Sequence, residues 1–535
     1  MTTRSVRRDL ALDFVSPLPP VRSGISDYSA DLIPALGALC DLRVVRVDGQ
    51  EVADELVERW QPVSMAEIGA DGRVPFYQMG NNVYHLEILD RAHARPGLLT
   101  LHDLFLHHLL HERTLARGEI EPYRETLVHD HGWIGAAVAE PPRWNAYGAA
   151  PLFSLPCHRR LIQLQRGVLV HSQWAADRIA EDIEDAQVRV IPMPMPLRER
   201  ADRSQGAELR RRFGIPEDAP VLGSFGFQTP IKRTDVVIEA LARPELTDVH
   251  LLIVGVVTPS FDLAAKAAEA GASERVHLCG YLSRDELGQA MATADLCVNL
   301  RYPTAGETSA SLLRLLAMGR PSLVSDYAQF AELPDACALK VVVGDDEVEA
   351  LATKVRDLLE TPGRLEQMGD DARAFVAREH DPDLVARRIV DACVEFTEHA
   401  PGTPTAATVP APTSLTSRDT TGTMEVQGFE TWPAGEARDL EVRLKNTGAC
   451  RWLGARRGAG GVSLWVQVWD ELTGIDINAA TAWPELPLDL NPGSKYLFRV
   501  PLRRPLGPAR LRILPMVTGA PKFEPLAVAP FESSI

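Results

Sequence analysis

The residues best suited to chemistry sit in short polar loops that follow apolar runs. Gly306-Glu307-Thr308-Ser309 stands directly ahead of a helical pattern in "PTAGETSASLLRLLAMGRP". Unpaired N–H groups and the positive dipole end at a helix start favour an anion. Glu307, in the same loop, is placed to grip a hydroxyl of the bound group. Gly319-Arg320-Pro321 then ends the helix and leads into a strand. In "PVLGSFGFQTPIKRTDVVIEAL", Gly226 lies just beyond a strand and Lys232-Arg233 precede an amphipathic helix. A lysine at such a point is a mobile charge for phosphate, although a solvated helix start reads the same way.

A second group lies nearer the N-terminus. "SPLPPVRSGISDYSADLIPAL" puts Ser23-Gly24 at a helix opening near Ile25, with Asp27 in the first turn. Such a turn lets a ligand approach backbone N–H groups; an ordinary strand-to-helix turn looks no different. No Gly-x-Gly-x-x-Gly follows any strand, which demotes a dehydrogenase. "PFYQMGNNVYH" ends a strand on Asn81, Asn82 and His85, whose amides and imidazole suit sugar hydroxyls or phosphate. Asparagine is also a common turn and cap residue. "LLTLHDLFLHHLLHER" puts His102 and Asp103 at a strand end and His107, His108 and His111 on the next helix. His107 and His111 could share a face, but His-Glu-x-x-His is absent and no carboxylate stands as third ligand. Acceptor contact or a polar cleft wall is favoured over zinc for His102 and His107. His171-Ser172 after "GVLV" reads as a cap for the following helix.

These loops need strands to hold them. Leu10–Val15, Leu42–Val47, Phe76–Met79, Leu98–Leu101, Val168–Val170 and Val188–Ile191 read as strands with helices between. A second set runs through Val221–Phe225, Val249–Val254, Val276–Leu278, Leu296–Leu300 and Pro321–Val324. Continuous apolar strands alternating with helices predict doubly wound parallel sheets buried on both faces. The proline-bearing stretch from Pro192 to Gln205 divides the sets, so two Rossmann-type halves are expected. From His399 to Thr423 the chain turns to Pro, Thr, Ala and Ser, the composition of an extended linker. Beyond it, "DLEVRLKNTG", "VSLWVQVWDELTG" and "ARLRILPMVTG" alternate apolar and polar residues between glycine turns, an antiparallel β-sandwich pattern.

Composition sets the outer bounds. The chain has 535 residues, 45% hydrophobic and 24% charged, an ordinary globular balance for two or three domains. Its net charge is −17, which argues against nucleic acid as a partner. The first 423 residues carry −18 of it, so the C-terminal part is nearly neutral. Seven scattered cysteines with no Cys-x-x-Cys fit a reduced chain. Neither a secretory signal nor an apolar run long enough to span a bilayer is readable, so a cytoplasmic place is expected, extending to the inner face of the cell membrane.

Residues from about 9 to 398 resemble a GT-B glycosyltransferase of family 4, the retaining, nucleotide-sugar-dependent class. "PPVRSGISDYSADL", "GFQTPIK" and "PTAGETSASLLRLLAMGRP" carry the resemblance. It implies an α/β GT-B fold, two Rossmann-like domains facing across a cleft: an acceptor domain at 1–195 and a donor domain at 206–382. A helix at 383–398 crosses back to the first, the linker spans 399–423, and an immunoglobulin-like sandwich fills 424–535. Lys232 matches the lysine that contacts the donor diphosphate, and Glu307 the first of two glutamates, which meets the donor sugar. Thr308 and Ser309 fall where backbone amides receive the diphosphate. Gly24 falls in the N-terminal glycine loop, and His102 matches the histidine near the transferred sugar.

The chain departs from that pattern at two places. Phe227 follows Gly226 where the family has an arginine, and the second glutamate, which normally holds the nucleotide ribose, is replaced by Arg314 when anchored on Gly319-Arg320-Pro321, or by Leu315 when counted from Glu307. Arg233 and Arg314 are expected to supply phosphate charge instead and, with Gly226 and Gly306, complete the donor side. Asn81, Asn82, His85, Asp103 and His107 line the acceptor side or cleft. The implied partners are a nucleotide-sugar donor and a saccharide or lipid-linked acceptor, with no metal or other cofactor; peripheral membrane contact is weak or partner-driven. The implied reaction is hexosyl transfer in cell-surface polysaccharide assembly. Two alternatives share the layout. A nucleotide-sugar 2-epimerase needs cleft carboxylates beyond Glu307, and a non-catalytic GT-B scaffold or sugar-binding protein is compatible with the two departures. Five of nine tryptophans (Trp432, Trp452, Trp465, Trp469 and Trp483) fall in the C-terminal part. They read as core or sheet-face residues, or as stacking faces for carbohydrate.

Overall fold

The computed structural model describes residues 7–139, 149–407, 413–414, 420–454, 461–474, 484–517 and 524–535. Its apolar runs build two six-stranded sheets. The first joins β1 (Arg7–Val15), β2 (Cys40–Val45), β3 (Val74–Met79), β4 (Leu98–Leu101), β5 (Gly167–Val170) and β6 (Val188–Val190) in the order β2-β1-β3-β4-β5-β6. The second joins β7 (Val221–Phe225), β8 (His250–Val254), β9 (Val276–Gly280), β10 (Leu296–Asn299), β11 (Ser322–Ser325) and β12 (Ala338–Val341) in the order β12-β11-β10-β7-β8-β9. Every pair in both is parallel. Each residue of β4, β7, β10 and β11 is buried, because helices cover both faces, which is why these strands show no alternation. Strand β12 escaped the sequence reading. It is an edge strand with Leu339 and Lys340 only half-buried, and its apolar signal is short.

The strand order fixes where a ligand can enter. In the first sheet the chain reverses direction between β1 and β3, and in the second between β7 and β10. Loops leaving the carboxyl ends of such neighbours diverge and open a crevice. The Pro382–Thr397 helix places Val385, Ile389, Cys393 and Phe396 in one core with Leu32 and Leu36 of the Gly24–Gly37 helix.

Two compact units result: Met1–Arg113 with His158–Pro404, and Thr114–Cys157 with Thr405–Ile535. Both parallel sheets lie in the first. In the second, the Ala407 N–H donates to the His129 carbonyl at 2.8 Å. Antiparallel strands Gly422–Gln427, Ala437–Asn446 and Lys495–Arg503 form one sheet. The other pairs Gly461–Asp470 with Ala509–Val517, flanked by short strands. The two share a core of Val442, Trp452, Leu464, Phe498 and Leu511. Trp432 and Trp452 are buried there, while Trp465 and Trp469 are half-buried on the face of their strand opposite Leu464, Val466 and Val468. Trp483 lies outside the described residues. Among the described residues no helix is long and apolar enough to cross a membrane.

Candidate functional site

The loops after β7 and β10 carry the second-half residues. Gly226 has φ +96°, and a Cβ there would stand 2.8 Å from Lys232 Nζ, so only glycine lets the lysine fold back over the strand end. Lys232 is 8% exposed and donates to the Phe225 carbonyl. Burial, with Arg301 adding to it, holds its pKa well below the usual lysine range. Arg233 turns away in a left-handed conformation and pairs with the buried Glu347. Phe227 is largely exposed.

Across the crevice, Ser309 caps the Ala310–Ala317 helix, its Oγ accepting from the Leu312 N–H at 3.3 Å. The first-turn N–H groups of that helix have no carbonyl within reach in the helix itself. Glu307 Oε2 accepts from the Thr304 hydroxyl at 2.9 Å and the Ala305 N–H at 3.0 Å, and Oε1 from Arg301 Nε at 3.2 Å. Gln329 Nε2 donates to Thr304 Oγ1 at 2.9 Å and to the Glu307 carbonyl at 2.7 Å, so the loop is tied from below. Arg301 was not singled out by the sequence. It is buried, and burial lowers its pKa while Glu307 opposes the shift. Thr308 is half-buried.

The first half meets these loops directly. The Phe105 N–H donates to the Ala305 carbonyl at 3.0 Å. Gly306, at φ +83°, leaves room that a Cβ would lose, since it would lie 2.5 Å from Leu104 Cβ. Gly24 opens its helix beside Ala310, and Arg314 Nη2 reaches Asp27 Oδ2 at 3.4 Å. The charge at the second glutamate position is thus committed to the other half. Asp103 lies on the loop that touches Gly306; burial and the nearby Glu307 push its carboxyl up to about 7, against one Asn81 N–H bond of 2.8 Å.

Several expected acceptor-side residues also hold the loops together. Asn81 Oδ1 accepts from the Leu109 N–H at 2.8 Å, capping the His107–Arg113 helix, where His107 is buried. Asn82 Oδ1 accepts from the Tyr84 N–H at 3.1 Å and lies 3.0 Å from His85 Nδ1. Burial lowers His85 to about 4, so Nδ1 donates to Asn82 and Nε2 is left a buried acceptor without a partner among the described residues.

His102 stands in a chain whose tautomers can be worked out. His171 Nδ1 faces the Ile191 carbonyl at 2.8 Å, so it must donate. Burial lowers both rings, His171 to about 4, so both are neutral near pH 7. His171 Nε2 therefore accepts from His102 Nδ1 at 3.2 Å, and His102 Nε2 is itself an acceptor. Gln78 Oε1 lies 3.2 Å from that nitrogen while Gln78 Nε2 is buried without a partner among the described residues. Turning the amide by 180° satisfies both. Ser172 caps the next helix, as expected, through the Ala175 N–H at 3.2 Å. His171 does more than the sequence suggested. Among the described residues no group of three or more His, Cys, Asp or Glu side chains is placed to hold a metal ion.

Residues 219–361 match the family model described as glycosyl transferases group 1. The chain is 28% identical over 232 residues to the UDP-N-acetylglucosamine--N-acetylmuramyl-(pentapeptide) pyrophosphoryl-undecaprenol N-acetylglucosamine transferase of Sorangium cellulosum, covering 40% of this chain and 54% of that one. It is 27% identical over 329 residues to the D-inositol 3-phosphate glycosyltransferase of Thermobispora bispora, covering 55% and 74%. The chain spans about half the length of several curated relatives it matches. Sucrose-phosphate synthase from Thermosynechococcus elongatus superposes with a TM-score of 0.52 at 16% identity, over 73% of this chain and 99% of that one. That likeness carries the fold alone: paired Rossmann-like domains of the GT-B type. Residues 219–361 are thus similar to the glycosyl transferases group 1 domain, and both of these curated relatives are glycosyltransferases.

Proposed function

We propose that the chain is a retaining glycosyltransferase that moves a hexosyl unit from a nucleotide-diphosphate sugar to a saccharide or lipid-linked acceptor, in cell-surface polysaccharide assembly. The observation that carries this reading is Lys232: a buried ammonium at the β7/β10 crevice, beside a helix start, with no carboxylate bonded to it among the described residues. A buried cation without a counter-charge is costly, and a diphosphate supplies the counter-charge. As the sugar–phosphate bond breaks, negative charge grows on the leaving oxygens. Lys232 and the N–H groups of Thr308 and Ser309 stabilise it. On this reading residues 206–382 hold the donor, residues 1–195 present the acceptor near His85 and Asp103, and the C-terminal sheets form an immunoglobulin-like accessory sandwich.

A thermal-shift panel of nucleoside diphosphates and their sugars tests it. One nucleotide should raise the melting temperature, and Lys232→Ala should abolish the rise. A wild type that no nucleotide stabilises moves the non-catalytic scaffold to first place. The approach of Asp103 to the Glu307 loop favours one other reading, the 2-epimerase, which needs two cleft carboxylates. Incorporation of solvent deuterium at sugar C2 without nucleotide release would select it.

A further inference from the structure

Two buried basic side chains, Lys232 and Arg301, lie at the head of the second sheet, and the one carboxylate bonded there among the described residues, Glu307, is bonded to Arg301. Strands β7 and β10 are neighbours, with Leu222 opposite Leu296 and Gly223 opposite Cys297, so the loops that leave them start roughly one strand spacing, about 4.8 Å, apart. One loop brings Lys232, which donates only to the Phe225 carbonyl. The other brings Arg301, 7% exposed, which gives Nε to Glu307 and Nη1 to the Leu300 carbonyl. Arg301 Nη2 donates to nothing among the described residues.

Glu307 is largely spent on its own loop, through the Thr304 hydroxyl, the Ala305 N–H and Arg301. It offsets one cation and leaves the other. Asp103, on the neighbouring loop, is pushed up to about 7 by burial and then Glu307, so near pH 7 it carries only part of a charge. Beside Lys232, one edge of the Arg301 guanidinium fork is therefore uncommitted among the described residues. A planar fork takes two oxygens of a phosphate at fixed spacing, which an ammonium cannot do. The loop after β7 offers no free fork, because Phe227 follows Gly226 and the Arg233 guanidinium is paired with Glu347.

We infer that Arg301 is the second cation of the diphosphate site, and that Glu307 is the positioning residue that holds its guanidinium there. The inference rests on the donor reading above and deepens it: charge contact to the diphosphate comes from two separate loops that leave neighbouring strands. Glu307 then acts through Arg301 and the loop it shapes.

Calorimetric titration of the full-length protein with nucleoside diphosphate, inorganic pyrophosphate and the bare nucleoside tests this. Arg301→Met should weaken the first two roughly tenfold to a hundredfold, as expected for a charge-assisted contact, and leave the nucleoside unchanged. Glu307→Gln should show a smaller loss with the same selectivity, which a merely structural role would not produce. If Arg301→Met does not fold, Arg301→Lys is read instead: selective weakening of diphosphate and pyrophosphate supports the inference. Wild-type affinity in the Arg301 variant, or equal loss for all three ligands, overturns it while Lys232→Ala still reports on the donor reading. If the wild type binds neither diphosphate nor pyrophosphate, the donor reading falls first and takes this inference with it.

Discussion

Asp103→Asn separates a carboxyl held neutral by its neighbours from one that merely lines the crevice. The carboxyl sits on the loop after β4 with Glu307 nearby and one N–H bond from Asn81. Burial and then Glu307 move it from 3.8 to about 7. Between those values the unfolded chain has lost the proton and the folded chain keeps it, so the folded state binds more protons. Stability must then fall as pH rises. About three pKa units at about 1.36 kcal/mol each give an upper bound of about 4 kcal/mol, and about 2 kcal/mol is a fair expectation for a half-buried residue. Asparagine keeps an oxygen for the Asn81 N–H and cannot ionise. Denaturant unfolding of wild type and Asp103→Asn from pH 4 to 8 should show the variant gaining on the wild type up to about pH 7, then running parallel. Profiles parallel throughout would refute the raised Asp103 pKa that burial and then Glu307 produce.

Other substitutions probe separate links. Gly306→Ala places a Cβ 2.5 Å from Leu104 Cβ at a positive φ. It should cost on the order of 3 kcal/mol in unfolding experiments and weaken nucleotide binding. Asp27→Ala breaks a partly exposed ion pair with Arg314; the loss should stay below about 1 kcal/mol and vanish in high salt. Trp452→Ala empties the core of the C-terminal sheets. It should cost about 4 kcal/mol in the unfolding of that unit, measured by calorimetry, while nucleotide binding by the first unit is retained.

All strands of both sheets except β12 were legible because burial leaves continuous apolar runs, and the loops after them followed from parallel topology. What sequence could not give is contact between residues far apart in the chain. Arg301 looked like one more loop arginine until folding buried it beside Lys232 and Glu307. Arg233, adjacent to Lys232 and read as phosphate charge, pairs with Glu347 more than a hundred residues away. His171 read as part of a cap, and its bond to His102 spans 69 positions. The asparagines were ambiguous in the sequence, and both use their oxygens to fix the backbone. The grouping of Thr114–Cys157 with the chain after Thr405 left no local trace either. Charge and hydrogen-bond partners are set by tertiary packing, whereas strand identity is set by neighbours along the chain.

The most direct test of the central claim is nucleotide release. The protein, given a panel of nucleoside-diphosphate sugars with a saccharide acceptor, should liberate one nucleoside diphosphate and form a glycoside whose anomeric configuration matches the donor. Lys232→Ala should lose that release. Failure of every donor to bind or turn over, in protein shown to be folded, would contradict the account and leave a GT-B scaffold without transfer activity.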